Sequence, residues 1–83
     1  MSTTSPTFLS ASAAARRLGL SARTLGRRAQ QHDLFRPVGE GRFYHAYQMD
    51  LIEAVIQDAV DADTALLNWQ VFLGKLRERL GAA

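Results

Sequence analysis

Residues 14–25 of the chain read Ala-Ala-Arg-Arg-Leu-Gly-Leu-Ser-Ala-Arg-Thr-Leu, and they contain the most specific structural signals in the sequence. Gly19 is typical of the residue that follows a helix in the left-handed conformation. Ser21 is a preferred N-cap residue, so a second helix is expected to begin directly after it. The first helix is expected to start from a cap at Ser10 or Ser12. The stretch therefore predicts two helices joined by a tight turn, the arrangement of a helix-turn-helix.

The second helix is expected over residues 22–31, and its two faces differ in character. With Leu25 at the centre of the inward face and about 100° of rotation per residue, Arg23 and Arg27 project to the opposite side. Arginine is suited to bidentate contact with phosphate and guanine. An ordinary solvated helix face also carries arginine, but the Gly-Leu-Ser turn before this helix favours a face that meets DNA. Gln30 shares the outward stripe, and Thr24 and Gln31 flank it.

A β-hairpin is expected over residues 34–46, where the character of the chain alternates around Gly39-Glu40-Gly41. Glycines at such a tip supply the left-handed positions that tight hairpin turns need. Pro37 restricts its strand to an edge position. We expect Arg36 and Arg42 to flank the tip and to reach the DNA backbone or the minor groove. A helix-turn-helix followed by a hairpin is a winged helix, so the sequence predicts a DNA-binding module.

Two further helices are expected, over about residues 48–60 and 64–80. Asp50 and Glu53 fall in the first turn of the earlier helix, where carboxylates favour the helix dipole, and we interpret them as solvated surface. The last helix carries apolar residues at steps of three and four, a short heptad pattern. Because other apolar residues of this helix lie outside that stripe, we expect one face of the helix to pack on the domain core and another to pack on a second subunit. The predicted oligomerisation residues are Leu66, Trp69, Leu73 and Leu76.

Charge is distributed unevenly along the 83 residues. Residues 1–48 hold seven arginines against two carboxylates, whereas residues 49–83 hold three basic residues against six acidic ones. A basic first half indicates a surface for a polyanion. Small basic domains without a nucleic acid partner also carry excess arginine, so charge alone does not decide the function.

The composition limits the class of protein. The chain is long enough for one small domain, and 47% hydrophobic residues are typical of a folded one. It has no cysteine, which excludes disulfides and thiolate chemistry. No apolar run approaches the roughly 20 residues that span a bilayer, and residues 1–7 lack the features of a secretory signal. We expect an intracellular protein with a disordered lead at 1–7, a DNA-binding domain at 8–60 and a C-terminal helix at 61–83.

Catalysis is not expected. His32 and His45 are isolated, without metal-ligand spacing, and no serine lies in a nucleophile turn. The Gly39-Glu40-Gly41 segment is too short for a phosphate-binding loop and precedes a strand. His32 is interpreted as a core or C-cap residue. The sequence predicts no enzyme, no cofactor and no metal.

The chain resembles the DNA-binding domain of the MerR superfamily over residues 8 to about 57. The resemblance is carried by residues 14–25, by Phe-Arg-Pro-Val-Gly-Glu-Gly-Arg-Phe-Tyr at 35–44 and by Met-Asp-Leu-Ile-Glu at 49–53. It implies a mainly α fold with a small β-hairpin wing, a winged helix-turn-helix followed by a C-terminal helix. The short remainder is similar in size to the stand-alone members of the superfamily, which are excisionases (recombination directionality factors) of mobile genetic elements and BldC-like regulators.

The resemblance also implies a function and a set of contacts. A protein of this type assembles on double-stranded DNA as a homo-oligomer and bends it, with a tyrosine recombinase (integrase) as companion, in the bacterial cytoplasm at the nucleoid. Arg23, Thr24, Arg27 and Arg42 would be the principal contacts. Two positions depart from the family pattern: Gly26 replaces a polar or bulky residue, and Arg28 stands where an aromatic residue often packs, which favours a phosphate contact. The predicted DNA-binding residues are Ser21, Arg23, Thr24, Arg27, Arg28, Gln31, Arg36, Arg42 and Tyr44.

Several alternatives stay open at this point. Phe43 or Tyr44 anchors the hairpin in the core, and a Tyr44 hydroxyl that donates to a phosphate is the less common outcome. A small MerR- or BldC-like transcriptional regulator is the alternative function. A phage terminase small subunit, or a protein-interaction adaptor that uses the C-terminal helix, is a further possibility.

Overall fold

Helices dominate the part of the chain that the computed structural model describes, residues 8–38 and 42–81. The prediction of a mainly helical fold with a small antiparallel β component is confirmed. The predictions for the lead at 1–7 and for the hairpin tip at 39–41 fall outside the described residues. In chain order the elements are β1 (Phe8–Ser10), α1 (Ala11–Leu18), α2 (Ala22–Gln31), a 3-10 turn (Asp33–Phe35), β2 (Phe43–His45), α3 (Ala46–Ile56) and α4 (Ala62–Gly81).

The turn between α1 and α2 forms as the sequence predicts. Gly19 has a φ of 72°, in the left-handed region that glycine enters without steric cost. Its N–H donates to the carbonyl of Arg16 at 3.1 Å, and the N–H of Leu20 donates to that of Ala15 at 2.9 Å. This pair of bonds is a Schellman motif, which satisfies the last carbonyls of α1 and turns the chain directly into α2.

The segment predicted as a hairpin folds differently from the expectation. Val38 and Phe43 pair across the loop, and their N–H groups donate to each other's carbonyls at 2.7 and 3.0 Å. Beyond that pair, β2 is hydrogen-bonded to β1, antiparallel, with Leu9 opposite Tyr44. The strand therefore finds its regular partner at residues 8–10, which precede α1.

The start of the predicted hairpin is instead a 3-10 turn, in which the adjacent apolar residues Leu34 and Phe35 are both buried. The turn is fixed by His32, whose Nδ1 accepts a hydrogen bond from the N–H of Leu34 at 3.2 Å. His32 is also the C-cap residue of α2, as the sequence predicts.

The core includes buried residues from α1 to α4 and from the segments between them. On α1 the buried residues are Ala14 and Ala15, whose small side chains let the neighbouring elements approach closely, as the sequence indicates. On α4 they are Ala65 and Trp69, the single tryptophan of the chain. The fully or almost fully buried apolar residues are Ala14, Ala15, Leu25, Leu34, Phe35, Tyr44, Met49, Ile52, Ala65 and Trp69.

Both later helices begin two residues before the predicted positions because their caps lie earlier. The ring of His45 accepts from the N–H of Tyr47 at 3.0 Å and starts α3 at Ala46. The Asp61 carboxylate accepts from the N–H of Thr64 at 3.0 Å, and α4 starts at Ala62. α3 ends at Ile56, ahead of the predicted residue 60, and Asp58 follows with a φ of 61°.

Candidate nucleic-acid interface

The N-terminus of α2 is organised by two of the predicted contact residues. The Ser21 hydroxyl accepts from the N–H of Thr24 at 3.1 Å and donates to the Thr24 hydroxyl at 2.9 Å. The second bond fixes the direction of the Thr24 side chain at the start of the helix. An N-cap of this kind contributes about 1 kcal/mol to helix stability. Ser21 thus has a structural role, and the two hydroxyls lie together at the entry to the outward face.

The outward face of α2 is formed by the residues that the helical periodicity predicts. Leu25 is 2% exposed and faces the core. Arg23, Arg27 and Gln30 are exposed, as is Gly26 between them. Among the described residues, no carboxylate lies within ion-pair distance of Arg23 or Arg27. The two guanidinium groups are therefore available to an external anion. We call Arg23, Arg27 and Gln30 the α2 face.

Further cations extend from the C-terminal end of α2 into the following loop. The guanidinium of Arg28 lies 5.8 Å from the centre of the Phe35 ring, a cation–π contact that holds the side chain while leaving it exposed. Arg36 donates from Nε to the carbonyl of Ala29 at 3.3 Å and lies 3.4 Å from the Asp33 carboxylate. Gln31 and Arg42 are exposed.

One arginine of the basic first half is neutralised within the fold. Arg17 donates to both carboxylate oxygens of Glu53, at 3.0 and 2.9 Å, and to Asp50 at 2.8 Å. The hydrogen bonding to Glu53 above all, and also that to Asp50, raises the pKa of Arg17. The bonds from Arg17 in turn lower the pKa of the Glu53 carboxyl. Asp50 and Glu53, interpreted from the sequence as solvated surface, instead connect α3 to α1. Arg17 is accordingly not part of the candidate interface.

The prediction that Tyr44 contacts DNA is wrong. Tyr44 is 2% exposed, and its hydroxyl donates to the carbonyl of Phe35 at 2.7 Å. Burial also raises the pKa of the phenol. The register of β2 against β1 turns Tyr44 inward and leaves Phe43 exposed, which settles the alternative left open by the sequence.

A buried glutamine that the sequence analysis did not single out supports the segment after α2. Gln48 is fully buried, and its Nε2 donates to the carbonyls of Leu34 and Arg36 at 2.8 and 2.6 Å. Its Oε1 accepts from the N–H of His45 at 3.2 Å. Gln48 is the second half of a capping box, but the usual Ser or Thr cap is replaced by His45, so the sequence contained only half of the signal. Through Gln48, α3 holds the backbone that carries Arg36.

The predicted oligomerisation stripe on α4 faces the core of the same chain. Trp69 is 2% exposed, and Leu66 and Leu73 pack against the buried cluster. Leu76 lines an apolar groove of about 180 Å³ beside Phe8. Trp69 is therefore part of the chain's own core and is corrected as an oligomerisation residue, whereas the prediction for Leu66, Leu73 and Leu76, which are half-buried, stays a prediction.

Among the α4 residues whose burial the structure describes, two large apolar residues that lie off that stripe point outward. Leu67 is 63% exposed and Val71 is 58% exposed. They are four residues apart and so share one face of the helix. This face could therefore take part in a surface between copies of the chain.

His45 lies in an aromatic cluster beneath α4. Its ring is 4.9 Å from that of Phe72, 5.2 Å from that of Phe8 and 5.8 Å from that of Trp69, between centres. Burial among these rings lowers the pKa of His45 below its ordinary value of 6.5. The neutral ring also keeps the Nδ1 acceptor that caps α3.

We expect two separate losses of stability on acidification. Because the folded pKa of His45 is depressed, the unfolded chain binds the proton first, and the free energy of unfolding falls as the pH drops below about 6.5. The folded pKa of Glu53 is also depressed, so its contribution is present above about 4.5 and is lost as the pH falls through the folded pKa. Urea unfolding from neutral pH down to about pH 2, below the depressed folded pKa of Glu53, measures both steps.

The His45→Asn variant separates the two steps. Asparagine keeps an acceptor for the N-cap but does not titrate, so the first loss should disappear while the second remains. An unchanged first step in His45→Asn would mean that another group is responsible.

Membrane-spanning helices and metal sites are both absent from the described residues. No helix there combines the length and the apolar character that crossing a membrane requires. The same residues contain no group of three or more histidine or carboxylate side chains placed to hold a metal ion.

No protein-family model, curated protein or solved structure matches the chain.

Proposed function

We propose that this chain is a non-catalytic double-stranded DNA-binding protein, a winged helix-turn-helix in which α2 enters the major groove. The observation that carries the proposal is the α2 face, with two arginines and a glutamine exposed behind a Schellman turn and a serine cap. Arginine and glutamine are the side chains that bind guanine, adenine and phosphate in that groove. Arg28, Arg36 and Arg42 would add backbone contacts beside it.

The proposed role is that of an excisionase-type factor, which assembles on DNA, bends it and directs a site-specific recombinase. This part of the proposal depends on the resemblance to the small stand-alone members of the MerR superfamily. One short helix and one loop read few base pairs, so specific binding needs several protomers side by side. The exposed pair Leu67 and Val71 is the α4 surface that we assign to contacts between protomers.

The first test is the salt dependence of binding to short duplexes. If about four arginines contact phosphate, the slope of log affinity against log salt should be roughly −4. The double variant Arg23→Ala, Arg27→Ala should bind more weakly at every salt concentration, and its slope should be shallower by about one for each phosphate that it no longer binds. Fluorescence anisotropy with labelled duplexes measures both quantities.

A matched control variant loses the same net charge, so it separates the effect of total charge on affinity from that of the α2 face. Arg77→Ala, Arg79→Ala also removes two exposed arginines, but from the end of α4. It should retain nearly the affinity and slope of the unaltered protein. Equal losses of affinity in the two double variants would mean that total charge, and not the α2 face, controls binding. Full affinity in the Arg23→Ala, Arg27→Ala variant would favour a protein-interaction adaptor.

The role on DNA is tested by footprinting around the protein's own gene. Phased direct repeats that are filled cooperatively, with bending, support the excisionase-type assembly. Inverted repeats bound by a dimer would favour the plain transcriptional regulator. Replacing Leu67 and Val71 with aspartate should reduce cooperative loading on several sites while leaving binding to one site unchanged.

A further inference from the structure

We propose that Gly26 is the point at which α2 comes closest to DNA, and that its missing side chain allows the helix to lie deep in the groove. This inference rests on the proposed DNA-binding function and adds a positioning residue to it. Gly26 lies inside α2, four residues after the first helical residue and five before the last. Glycine in a helix interior is unfavourable compared with alanine, so its presence there needs a reason.

The described part of the chain offers no steric reason for a glycine at this position. A Cβ built on Gly26 would have no atom of those residues within 4 Å, and the position is exposed. The backbone is ordinary helix: among the described residues the glycine with a positive φ is Gly19. Neither close packing nor a left-handed conformation within this part of the chain therefore requires glycine at 26.

The neighbours of Gly26 identify the kind of surface that approaches it. At 100° per residue, Gly26 lies about 60° from Arg23 and about 40° from Gln30 around the helix axis. Arg27, the next residue along the chain, lies about 100° away on the same side. Gly26 is thus at the edge of the α2 face, and the exposed groups on one side of it are ones that bind phosphates and base edges. A polyanion held by these side chains would meet bare backbone at Gly26, where any Cβ would hold the helix away.

Gly74 provides a matched control because it shows the same local features elsewhere. It lies in the interior of α4, is exposed, and has no atom of the described residues within 4 Å of a built Cβ. Its neighbours on the helix surface include Glu78, and it has no part in the α2 face. Gly26→Ala and Gly74→Ala should therefore stabilise the fold to a similar degree. Only the first should affect DNA binding.

The experiment uses the full chain and short duplexes selected by the unaltered protein from a random pool, each with one site. Gly26→Ala and Gly74→Ala should each raise the Tm by roughly 2–8 °C. Gly26→Ala should weaken binding about tenfold or more, the loss of affinity expected when a bidentate arginine contact is disturbed. Gly74→Ala should retain the affinity of the unaltered protein.

A larger substitution tells close approach from flexibility. Methionine is nearly as good a helix former as alanine, so Gly26→Met should weaken binding further than Gly26→Ala if space is what matters. Equal losses of affinity for the two would mean that helix flexibility is required, and an undiminished affinity in Gly26→Ala would mean that DNA does not approach there. Either result overturns this inference. If the unaltered protein does not bind duplexes, or if Arg23→Ala, Arg27→Ala has no effect, it is the proposed function itself that fails.

Discussion

Trp69→Ala is expected to lower the free energy of unfolding by about 3–5 kcal/mol, a large share of the total stability of so small a domain. The indole is 2% exposed. Its ring stacks on that of Phe72 with a centre-to-centre distance of 5.7 Å and lies 6.4 Å from the ring of Tyr47. Alanine cannot reach either ring and would leave a cavity between α4 and the start of α3. Urea unfolding followed by circular dichroism measures the change.

Leu67→Ala is the control on the same helix. Leu67 is 63% exposed, so its truncation should change the free energy of unfolding by no more than about 0.5 kcal/mol. If the α4 stripe instead joined subunits, Trp69→Ala would reduce self-association in sedimentation experiments while the unfolding of the monomer stayed unchanged. That outcome would contradict the packing described for α4.

The spacing of apolar residues on α4 predicts the helix but not the identity of its partner. A stripe at steps of three and four indicates only that one face is buried. The stripe can be buried by residues of the same chain or of a second copy. Which of these occurs depends on contacts between residues far apart in the sequence, such as the contact between Trp69 and His45. The outward pair Leu67 and Val71 was recognisable as lying off the stripe, and the structure shows that Trp69 on the stripe is buried in the core of its own chain.

Local signals predicted the parts of the fold that local chemistry determines. The glycine and serine of the α1–α2 turn fix their own hydrogen bonds, and the period of α2 fixes which arginines point outward. The pairing of β1 with β2 was not predictable in this way, because three-residue strands are too short to show alternation and their partners lie far apart in the chain. The choice of Tyr44 over Phe43 as the residue in the core follows from that pairing, and it stayed open in the sequence for the same reason.

The same reasoning explains which charges of the candidate interface were assigned correctly. Arg23 and Arg27 are exposed because the opposite side of their helix carries Leu25, which is a local property. Arg17 is neutralised by two carboxylates more than thirty residues later in the chain. Counting arginines in the first half of the sequence therefore overestimates the positive charge that an external anion meets.

Gln48→Met is expected to lower the free energy of unfolding by about 2–5 kcal/mol, since it removes a donor to two carbonyls and an acceptor for one N–H at a buried position. Methionine has a similar length and volume, so little of the effect would come from a cavity. The carbonyls of Leu34 and Arg36 would be left facing a thioether. Even in conditions where the protein stays folded, the segment that carries Arg36 should loosen, and DNA binding should weaken with it.

Gln70→Met is the matched substitution on the surface of α4 and should have an effect below about 0.5 kcal/mol. Gln48→Glu sharpens the test, because its carboxylate would face two carbonyl oxygens that need a donor. Desolvation and these oxygens should raise the folded pKa of the new carboxyl. The free energy of unfolding should therefore fall furthest below that of the unaltered protein at neutral pH. This difference in the free energy of unfolding should become smaller on acidification, because the protonated carboxyl becomes a donor. A deficit that does not change with pH, or a Gln48→Met variant as stable as Gln70→Met, would show that the three hydrogen bonds do not hold α3 to the segment after α2.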